Sequence, residues 1–212
     1  MRIGIDLGGT KMEGIVLDRQ GRLLTKKRTP TPAAQGYSAI VDALALLVNA
    51  LEKEVGQSCS VGMATPGAIS AHTGKMKNCN TTCINGQPLL TDFEARLGRR
   101  VRIANDADCF ALSEARDGAA AGHEVVFGVI LGTGVGGGVI FNGHVHSGPN
   151  SIGGEWGHTP LVVDGALDCY CGKQGCVETV LSGPGLLRDY RRGGGTLAVD
   201  TSGVVDGARS GT

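Results

Sequence analysis

The sequence RIGIDLGGTKMEGIVL, residues 2–17, consists of two strand-like apolar segments separated by the turn Gly8-Gly9-Thr10-Lys11. Alternation of apolar residues predicts two strands, and the glycines predict a tight turn between them. The turn offers glycine backbone amides, a threonine hydroxyl and a lysine ammonium group, which together suit a phosphate ligand. Asp6 at the strand end is placed to hold Mg²⁺. A plain hairpin with a salt-bridged lysine explains the same residues, so both interpretations remain open.

A second segment, FGVILGTGVGGGVIF (residues 127–141), has the same order of strand, glycine turn and strand. Few aligned positions are identical, so either an internal repeat or two unrelated glycine-rich hairpins explains the similarity. Residues 132–137 also spell G-x-G-x-x-G, but a Rossmann dinucleotide site needs a helix after the glycines, and a strand is expected here. We interpret 132–138 as a second phosphate-binding hairpin, with a purely structural hairpin as the alternative.

The rest of the chain alternates between predicted strands and helices. Apolar periodicity predicts strands at 23–29, 60–64 and 101–104 and helices at 37–55, 93–97 and 107–120. This order predicts an α/β fold with a mixed sheet. We divide the chain into an N-terminal α/β lobe, 1–121, and a partial C-terminal lobe, 122–212. Residues 193–212 show no helical periodicity and are predicted to form an irregular tail.

The composition excludes several classes of protein. The 212 residues include 36 glycines but no Gly-X-Y repeat, so a collagen-like structure is excluded. Lysine plus arginine number 20 and aspartate plus glutamate number 20, a balance that leaves no basic surface for nucleic acid or anionic membranes. The chain has no apolar run of about 20 residues, and Met1-Arg2 leads directly into the first strand without a signal peptide. We therefore expect a soluble cytoplasmic protein that binds neither nucleic acid nor membrane.

Asn105-Asp106 lies between the strand predicted at 101–104 and the helix predicted at 107–120. A carboxylate at this junction can project from the strand end as a general base, with the helix N-terminus favouring its ionised form. Phosphoryl transfer asks little more of a base than such positioning. Asn and Asp are also preferred helix N-caps, so a capping role alone is the simpler explanation of this pair.

The most specific pattern is the run CYCGKQGC, residues 169–176, with His158 upstream. Three thiolates and one imidazole fill all four positions of a tetrahedral zinc site, which is typical of structural rather than catalytic zinc. A disulfide between Cys171 and Cys176 is the alternative, although a reducing cytoplasm disfavours it. The other cysteines are scattered and are predicted to be buried thiols: Cys59, Cys79, Cys83 and Cys109.

Two acidic residues, Glu155 and Glu178, flank the predicted zinc loop. If His158 gives one ring nitrogen to zinc, its tautomer is fixed and the other nitrogen is free to bond a ligand. The two carboxylates would then accept hydrogen bonds from sugar hydroxyls. Glutamates beside a loop are also typical of solvated surface, so sugar contact is one of two open interpretations.

These motifs occur in one order along residues 1 to about 192, and together they resemble the ROK family of sugar kinases, repressors and related proteins. The segments 77–88 and 169–178 look most like bacterial fructokinases of the mannokinase type. The resemblance implies an α/β, actin-like and ribonuclease-H-like two-lobed ATPase fold, with ATP and sugar in the cleft. It also implies a homodimer, Mg²⁺ bound with ATP, a structural Zn²⁺, and phosphorylation of a hexose, with fructose converted to fructose 6-phosphate as the preferred reaction.

The resemblance assigns roles to individual residues. Asp106 matches the base that deprotonates the sugar hydroxyl. The sugar-contacting positions are matched by Asn105, Asp106, Glu155, His158 and Glu178, and the zinc ligands by His158, Cys169, Cys171 and Cys176. The two ATP phosphate-binding segments are matched by Gly4, Asp6, Gly8, Gly9, Thr10 and Lys11, and by Gly132, Thr133, Gly134, Val135, Gly136, Gly137 and Gly138.

The chain departs from the family pattern after about residue 192. Relatives continue further and complete the second lobe with a glycine-rich segment that holds adenosine, so we expect an incomplete second lobe from a truncated or divergent chain. The alternative function is therefore a non-catalytic fragment that binds sugar but lacks the adenosine-binding segment.

Overall fold

The computed structural model describes residues 1–161, 165–196 and 200–211. The described residues form two compact units. Unit 1 comprises Met1–Cys109 and Gly148–Ile152, and unit 2 comprises the other described residues. The boundary at Cys109 falls within a helix, so this one element contributes residues to both units.

Unit 1 is built around a mixed sheet. Its strands are β1 (Arg2–Leu7), β2 (Lys11–Leu17), β3 (Leu23–Pro30), β4 (Ser60–Thr65), β5 (Ala68–Ile69), β6 (Met76–Lys77) and β7 (Val101–Asn105). One five-stranded sheet has the order β3-β2-β1-β4-β7, and β5 pairs separately with β6. β1, β2 and β3 pair antiparallel, whereas β1–β4 and β4–β7 pair parallel. The predicted α/β architecture with a mixed sheet is confirmed.

The core of unit 1 lies between this sheet and two helices, α1 (Tyr37–Val55) and α2 (Leu89–Leu97). α1 contacts β2 and β3, and α2 contacts α1 and β7. The buried face of α1 recurs every three or four residues, as the apolar pattern predicts: Ile40, Val41, Leu44, Leu47, Val48 and Leu51. α1 ends where Gly56 adopts a left-handed conformation with φ 71°. These side chains pack against Ile3, Ile5 and Leu7 of β1.

Unit 2 begins in the helix α3 (Asp106–Asp117) and continues into an antiparallel sheet. The strands β8 (Val125–Leu131), β9 (Val135–Phe141) and β10 (His144–Val145) lie in the order β10-β9-β8. Ala111 of α3 packs with Val126 and Ile140 in a small core. A Cβ added at Gly128 would lie 2.7 Å from the Ala111 Cβ, so only glycine lets the helix pack this closely on β8.

The two glycine hairpins have the same organisation. β1 and β2 are joined by 8–10, and β8 and β9 are joined by 132–134, so each antiparallel pair has a three-residue turn. This shared organisation agrees with the internal repeat read from the sequence. A strand, not a helix, follows Gly134, which confirms that the G-x-G-x-x-G match is not a Rossmann fingerprint.

The helices α4 (Glu178–Leu181), α5 (Gly183–Arg192) and α6 (Thr201–Ser210) complete the described part of unit 2. The prediction of an irregular tail is wrong over α6. The Asp200 side chain caps α6 by accepting from the Gly203 amide at 2.9 Å, and the Thr201 hydroxyl donates to the Gly183 carbonyl at 2.8 Å. Capping and one tertiary hydrogen bond therefore define a helix that lacks clear apolar periodicity. Residues 197–199 and 212 of the predicted tail lie outside the described residues.

A helix that crosses a membrane must be both long and predominantly apolar. Such a helix needs about 20 predominantly apolar residues. No helix among the described residues combines sufficient length with sufficient apolar character.

Two glycines of unit 1 provide a matched test of close backbone packing. Gly67 (φ 76°) and Gly56 (φ 71°) share a left-handed conformation, but a Cβ would collide with the Lys77 carbonyl oxygen only at Gly67. We expect Gly56→Ala to cost roughly 1–2 kcal/mol of unfolding free energy because of backbone strain alone. Gly67→Ala should cost about 1–3 kcal/mol more because of overpacking. Urea unfolding followed by circular dichroism measures both, and equal costs would contradict the close packing at Gly67.

Candidate active site and metal centre

Two predicted site residues of unit 1, Asp6 and Asp106, lie at the carboxyl ends of its parallel strands. Asp6 of β1 pairs with Ala64 of β4, and Thr65 of β4 pairs with Asn105 of β7. The parallel strands therefore end at one edge of the sheet, where ligands bind in open α/β folds. Asp6 and Asp106 are close enough for the Asp6 charge to raise the pKa of Asp106. The structure thus brings together two of the sequence-predicted site residues.

Asn105 has structural hydrogen bonds on both ends of its amide group. Its Oδ1 accepts from the backbone amides of Ala107 at 2.8 Å and Asp108 at 3.2 Å, so it caps α3. Its Nδ2 donates to the Gly67 carbonyl oxygen at 3.0 Å. Asn105 therefore joins the end of β7, the start of α3 and the turn after β4, which orients the neighbouring Asp106.

Asp106 begins α3, and its Oδ1 accepts from the backbone amide of Ala107 at 2.9 Å. Loss of hydration raises the pKa of its carboxyl and the charge of Asp6 raises it further, whereas hydrogen bonds from Ala107 and Asn105 lower it. The residue is nevertheless exposed on one side. An accessible carboxylate with a raised pKa has the properties of a general base.

The first glycine turn is closed by backbone hydrogen bonds. The Gly8 amide donates to the Lys11 carbonyl at 3.0 Å, and the Thr31 hydroxyl donates to the Gly8 carbonyl at 2.7 Å. Gly9, Thr10 and Lys11 are exposed. Gly4 lies in β1 with an ordinary packing contact, so it supports the strand and not the turn.

Asp6 lies beside this turn, and its surroundings shift the pKa of its carboxyl in both directions. Loss of hydration and the charge of Glu13 raise the pKa of Asp6, whereas the Lys11 ammonium lowers it. A divalent cation would stabilise both ionised carboxylates, Asp6 and Asp106. Carboxylate oxygens are suitable ligands for Mg²⁺.

The second glycine turn is shorter than the sequence suggested. Only 132–134 lie outside the strands, whereas Val135 and Gly136–Gly138 belong to β9. The Gly183 amide donates to the Gly132 carbonyl at 2.7 Å, and the Glu178 Oε2 accepts from the Val135 amide at 2.9 Å. The start of α4 and the start of α5 therefore hold this turn.

The glycines of β9 allow a second chain segment to lie directly on the strand. A Cβ at Gly154 would collide with the Gly137 carbonyl oxygen, and one at Gly157 would collide with the Val135 carbonyl oxygen. The Trp156 indole nitrogen donates to the Gly136 carbonyl at 2.8 Å. This packing fixes the backbone on both sides of Glu155, an exposed residue.

His158, Cys169, Cys171 and Cys176 converge in unit 2, with their candidate ligand atoms all within 4.8 Å of one another. A tetrahedral zinc site with bonds of about 2.3 Å to sulfur and 2.05 Å to nitrogen requires S–S edges of about 3.8 Å and S–N edges of about 3.6 Å. The Cys171–Cys176 Sγ separation is 3.6 Å, and Cys169 Sγ lies 3.5 Å from His158 Nδ1. The thiols are not joined as a disulfide. The cluster therefore fits a four-ligand zinc ion.

The pKa values of two of these thiols move in opposite directions. A hydrogen bond from the Lys173 backbone is the main cause that lowers the pKa of the Cys171 thiol. Burial raises the pKa of the Cys176 thiol to about 11. A cation at the cluster would offset this cost of ionising Cys176, because a coordinating thiol is deprotonated.

The second ring nitrogen of His158 already has a protein partner. His158 Nε2 lies 3.1 Å from the Tyr170 hydroxyl, and the two rings meet edge to face at 5.2 Å. This nitrogen is expected to be free for a ligand once zinc is bound; in the structure it faces the Tyr170 hydroxyl, because the tyrosine between Cys169 and Cys171 lies over the imidazole. Loss of hydration together with the Glu178 charge raises the pKa of Tyr170 to about 12. The only feature of the sequence that points to Tyr170 is its position between Cys169 and Cys171.

Comparison with known proteins identifies related sugar kinases. The sequence profile of the ROK family matches residues 2–209. N-acetyl-D-glucosamine kinase of Shigella flexneri serotype 5b (strain 8401) is 44% identical over 200 residues, which cover 90% of this chain and 66% of that protein. The chain thus spans just under two thirds of the length of the curated relatives it matches.

Solved structures agree with the sequence comparison. The ROK hexokinase from Thermus thermophilus has a TM-score of 0.83 and 35% identity, covering 99% of this chain and 69% of that chain. A ROK family glucokinase from Streptomyces griseus, solved with glucose and AMPPNP, has a TM-score of 0.75 and 31% identity, covering 99% and 71%. These neighbours confirm the expected actin-like α/β fold. Because the family profile spans nearly all of the sequence and the relatives share both its fold and more than 30% of its residues, the chain belongs to the ROK family.

Proposed function

We propose that this chain contributes to an ATP-dependent hexose kinase, which transfers the terminal phosphoryl group of ATP to a sugar hydroxyl. The observation that carries the proposal is Asp106, an accessible carboxylate with a raised pKa at the carboxyl end of a parallel strand. Asp6, near the end of β1, and the first glycine turn, which follows β1, lie at the same edge of the sheet. Related proteins named as N-acetyl-D-glucosamine kinase, hexokinase and glucokinase support the reaction class.

In the proposed reaction Asp106 accepts the proton of the attacking hydroxyl. The hydroxyl oxygen forms a bond to the terminal phosphorus, and the bond from that phosphorus to the bridging oxygen breaks, so that ADP leaves with the electron pair. Asn105 caps α3 and thereby holds the carboxylate in position. Mg²⁺ bound with ATP would neutralise phosphate charge, with Asp6 as its protein partner.

The proposed phosphate-binding segments are the two glycine turns. The exposed Gly9, Thr10 and Lys11 offer amide, hydroxyl and ammonium donors in unit 1. In unit 2, the turn 132–134 is held by Glu178 and Gly183, so its geometry is set before a ligand binds. Gly136–Gly138 lie in β9, and Gly137 is needed for packing with Gly154.

We propose Asn105, Asp106, Glu155, His158 and Glu178 as sugar-contacting residues. At His158 a sugar hydroxyl would take the position of the Tyr170 hydroxyl. The segments 77–88 and 169–178 favour fructose from sequence, whereas the 44% identity to N-acetyl-D-glucosamine kinase favours an N-acetylated aldohexose. We place N-acetyl-D-glucosamine first and fructose second, and a homodimer remains a further prediction.

The catalytic role is tested with Asp106→Asn. Asparagine keeps the shape of aspartate but cannot accept the proton, so we expect kcat to fall by about 10²- to 10⁴-fold with little change in sugar KM. A coupled assay of ADP release with N-acetyl-D-glucosamine, glucose, mannose and fructose measures both constants.

Asp108→Asn is the matched control, because Asp108 lies on the same helix and loss of hydration also raises its pKa. This control should retain the parent rate. Equal turnover by Asp106→Asn and the parent would remove Asp106 from the mechanism. Calorimetric sugar binding without turnover by the parent would instead support the alternative function, a sugar-binding fragment.

Asp106→Asn also has a predicted effect on stability. Because the folded-state pKa of Asp106 is raised, its contribution to stability is full below the ordinary pKa and declines as pH rises through the raised value. The variant lacks this decline, so its Tm relative to the parent should increase from about pH 4 to about pH 7. Thermal unfolding across this range measures the difference, and a relative Tm that falls with pH would contradict the raised pKa.

We further propose that the Cys/His cluster holds one structural zinc ion. Cys171→Ser removes one ligand, so zinc content should fall from about one per chain and the Tm should decrease. Zinc affinity of the parent should fall as pH falls, because protons compete for the thiolates. Elemental analysis and calorimetry measure these effects. Cys83→Ser, a thiol of unit 1 outside the cluster, should retain full zinc content, and a metal-free parent after purification with zinc would refute the site.

A further inference from the structure

We propose that Asn85 is a positioning residue, which shapes the loop 78–85 and thereby sets the separation between Asp106 and the first glycine turn. This role rests on the kinase function proposed above, although Asn85 itself contacts neither ATP nor sugar in the proposed reaction. The loop lies between β6 and α2, and all of the groups involved belong to unit 1.

The side chain of Asn85 binds one backbone residue across the loop. Its Oδ1 accepts from the Cys79 amide at 2.8 Å, and its Nδ2 donates to the Cys79 carbonyl at 2.9 Å. At the base of the loop the Met76 amide donates to the Gln87 carbonyl at 2.9 Å, and the Gly86 amide donates to the Met76 carbonyl at 2.8 Å. Asn85 therefore extends this backbone pairing into the loop with its side chain.

The start of the loop packs against the turn that is bonded to Asn105. A Cβ at Gly67 would collide with the Lys77 carbonyl oxygen and would lie 2.9 Å from the Cys79 nitrogen. The Gly67 carbonyl oxygen accepts from Asn105 Nδ2 at 3.0 Å, and Asn105 directly precedes Asp106. The backbone that the loop side chain holds at Cys79 is therefore packed against the group that orients Asp106.

The next two residues of the loop, Asn80 and Thr81, lie against the first glycine turn. A Cβ at Gly9 would lie 3.3 Å from Thr81 Oγ1 and 4.0 Å from Asn80 Oδ1. Thr81 is buried, and a buried side chain in a close-packed interior transmits a displacement to its neighbours. The position of Thr81 therefore limits where Gly9 can lie.

The two groups of the proposed reaction thus have a common support. Asp106 acts on the attacking hydroxyl, and the first glycine turn binds the phosphate of the donor. Reacting atoms must approach to about 3–3.5 Å, and a misplacement of about 1 Å can lower the rate about 100-fold. A loop that contacts both groups sets their separation, so loss of the Asn85 hydrogen bonds should affect the rate more than it affects binding.

The kinetic test uses Asn85→Ala, which removes both hydrogen bonds to Cys79. We expect kcat to fall by about 10- to 100-fold, with little change in KM for ATP or N-acetyl-D-glucosamine, because the ligand-contacting groups remain. Asn85→Asp still accepts from the Cys79 amide and should therefore restore part of kcat. Thr82→Ala is the matched control, because it removes an exposed side chain from the same loop, and it should keep the parent kcat. All rates are compared below the Tm of each variant.

Hydrogen exchange tests the same role without turnover. The Gly8 amide donates to the Lys11 carbonyl at 3.0 Å within the turn, so its exchange rate reports the order of the turn. In Asn85→Ala this amide should exchange roughly tenfold faster, whereas the amides of α1 should keep their parent rates. Equal acceleration in α1 would indicate a general loss of stability and would overturn the local role of Asn85.

These measurements separate the role of Asn85 from the kinase itself. A parent-like kcat in Asn85→Ala would overturn the positioning role and leave the proposed kinase intact. A parent-like exchange rate of the Gly8 amide in the same variant would overturn the link from the loop to the turn. A parent that phosphorylates no sugar would refute the proposed kinase, and Gly8 exchange alone would then decide whether Asn85 orders the first glycine turn.

Discussion

Parallel pairing of β1, β4 and β7 is the constraint on which the candidate active site depends. Parallel strands must run in one direction, so residues at their carboxyl ends meet at the same edge of the sheet although they are far apart in sequence. The pairing of Asp6 with Ala64 and of Thr65 with Asn105 sets this edge. Asn105 joins this edge to its neighbours, because its side chain caps α3 and donates a hydrogen bond to the Gly67 carbonyl. The electrostatics of Asp106 follow from this placement.

In unit 2, glycines allow two backbone segments to pack directly against each other. β9 carries glycines where most strands carry side chains, and the segment containing Gly154 and Gly157 lies on its backbone. Close approach of two backbones leaves little freedom for the residues between and after them. It therefore fixes the start of the segment that leads to His158 and the candidate metal cluster, so the glycines of β9 support this site through packing.

Several elements could be predicted from local pattern. The apolar spacing of α1, the glycine at its end and the two hairpins all depend on residues near one another in sequence, and the structure has them as expected. The local pattern does not predict α6, because this helix relies on Asp200 as a cap and on a hydrogen bond from Thr201 to Gly183. Neither feature produces an apolar period. The sequence also predicts the start of α3 one residue too late, because a cap and a first helical residue have similar sequence preferences.

The sequence was sufficient for the family, the α/β class and the four side chains of the candidate metal cluster, which the structure brings together, because motif spacing and ligand chemistry are local properties. It was not sufficient to show that His158 Nε2 is occupied by Tyr170, that Glu178 holds the Val135 amide, or that the negative charge of Asp6 acts on Asp106. Each of these contacts joins residues brought together by chain folding. Their distances, and hence the hydrogen bonds and pKa values, exist only once the strands have paired and the loops have packed.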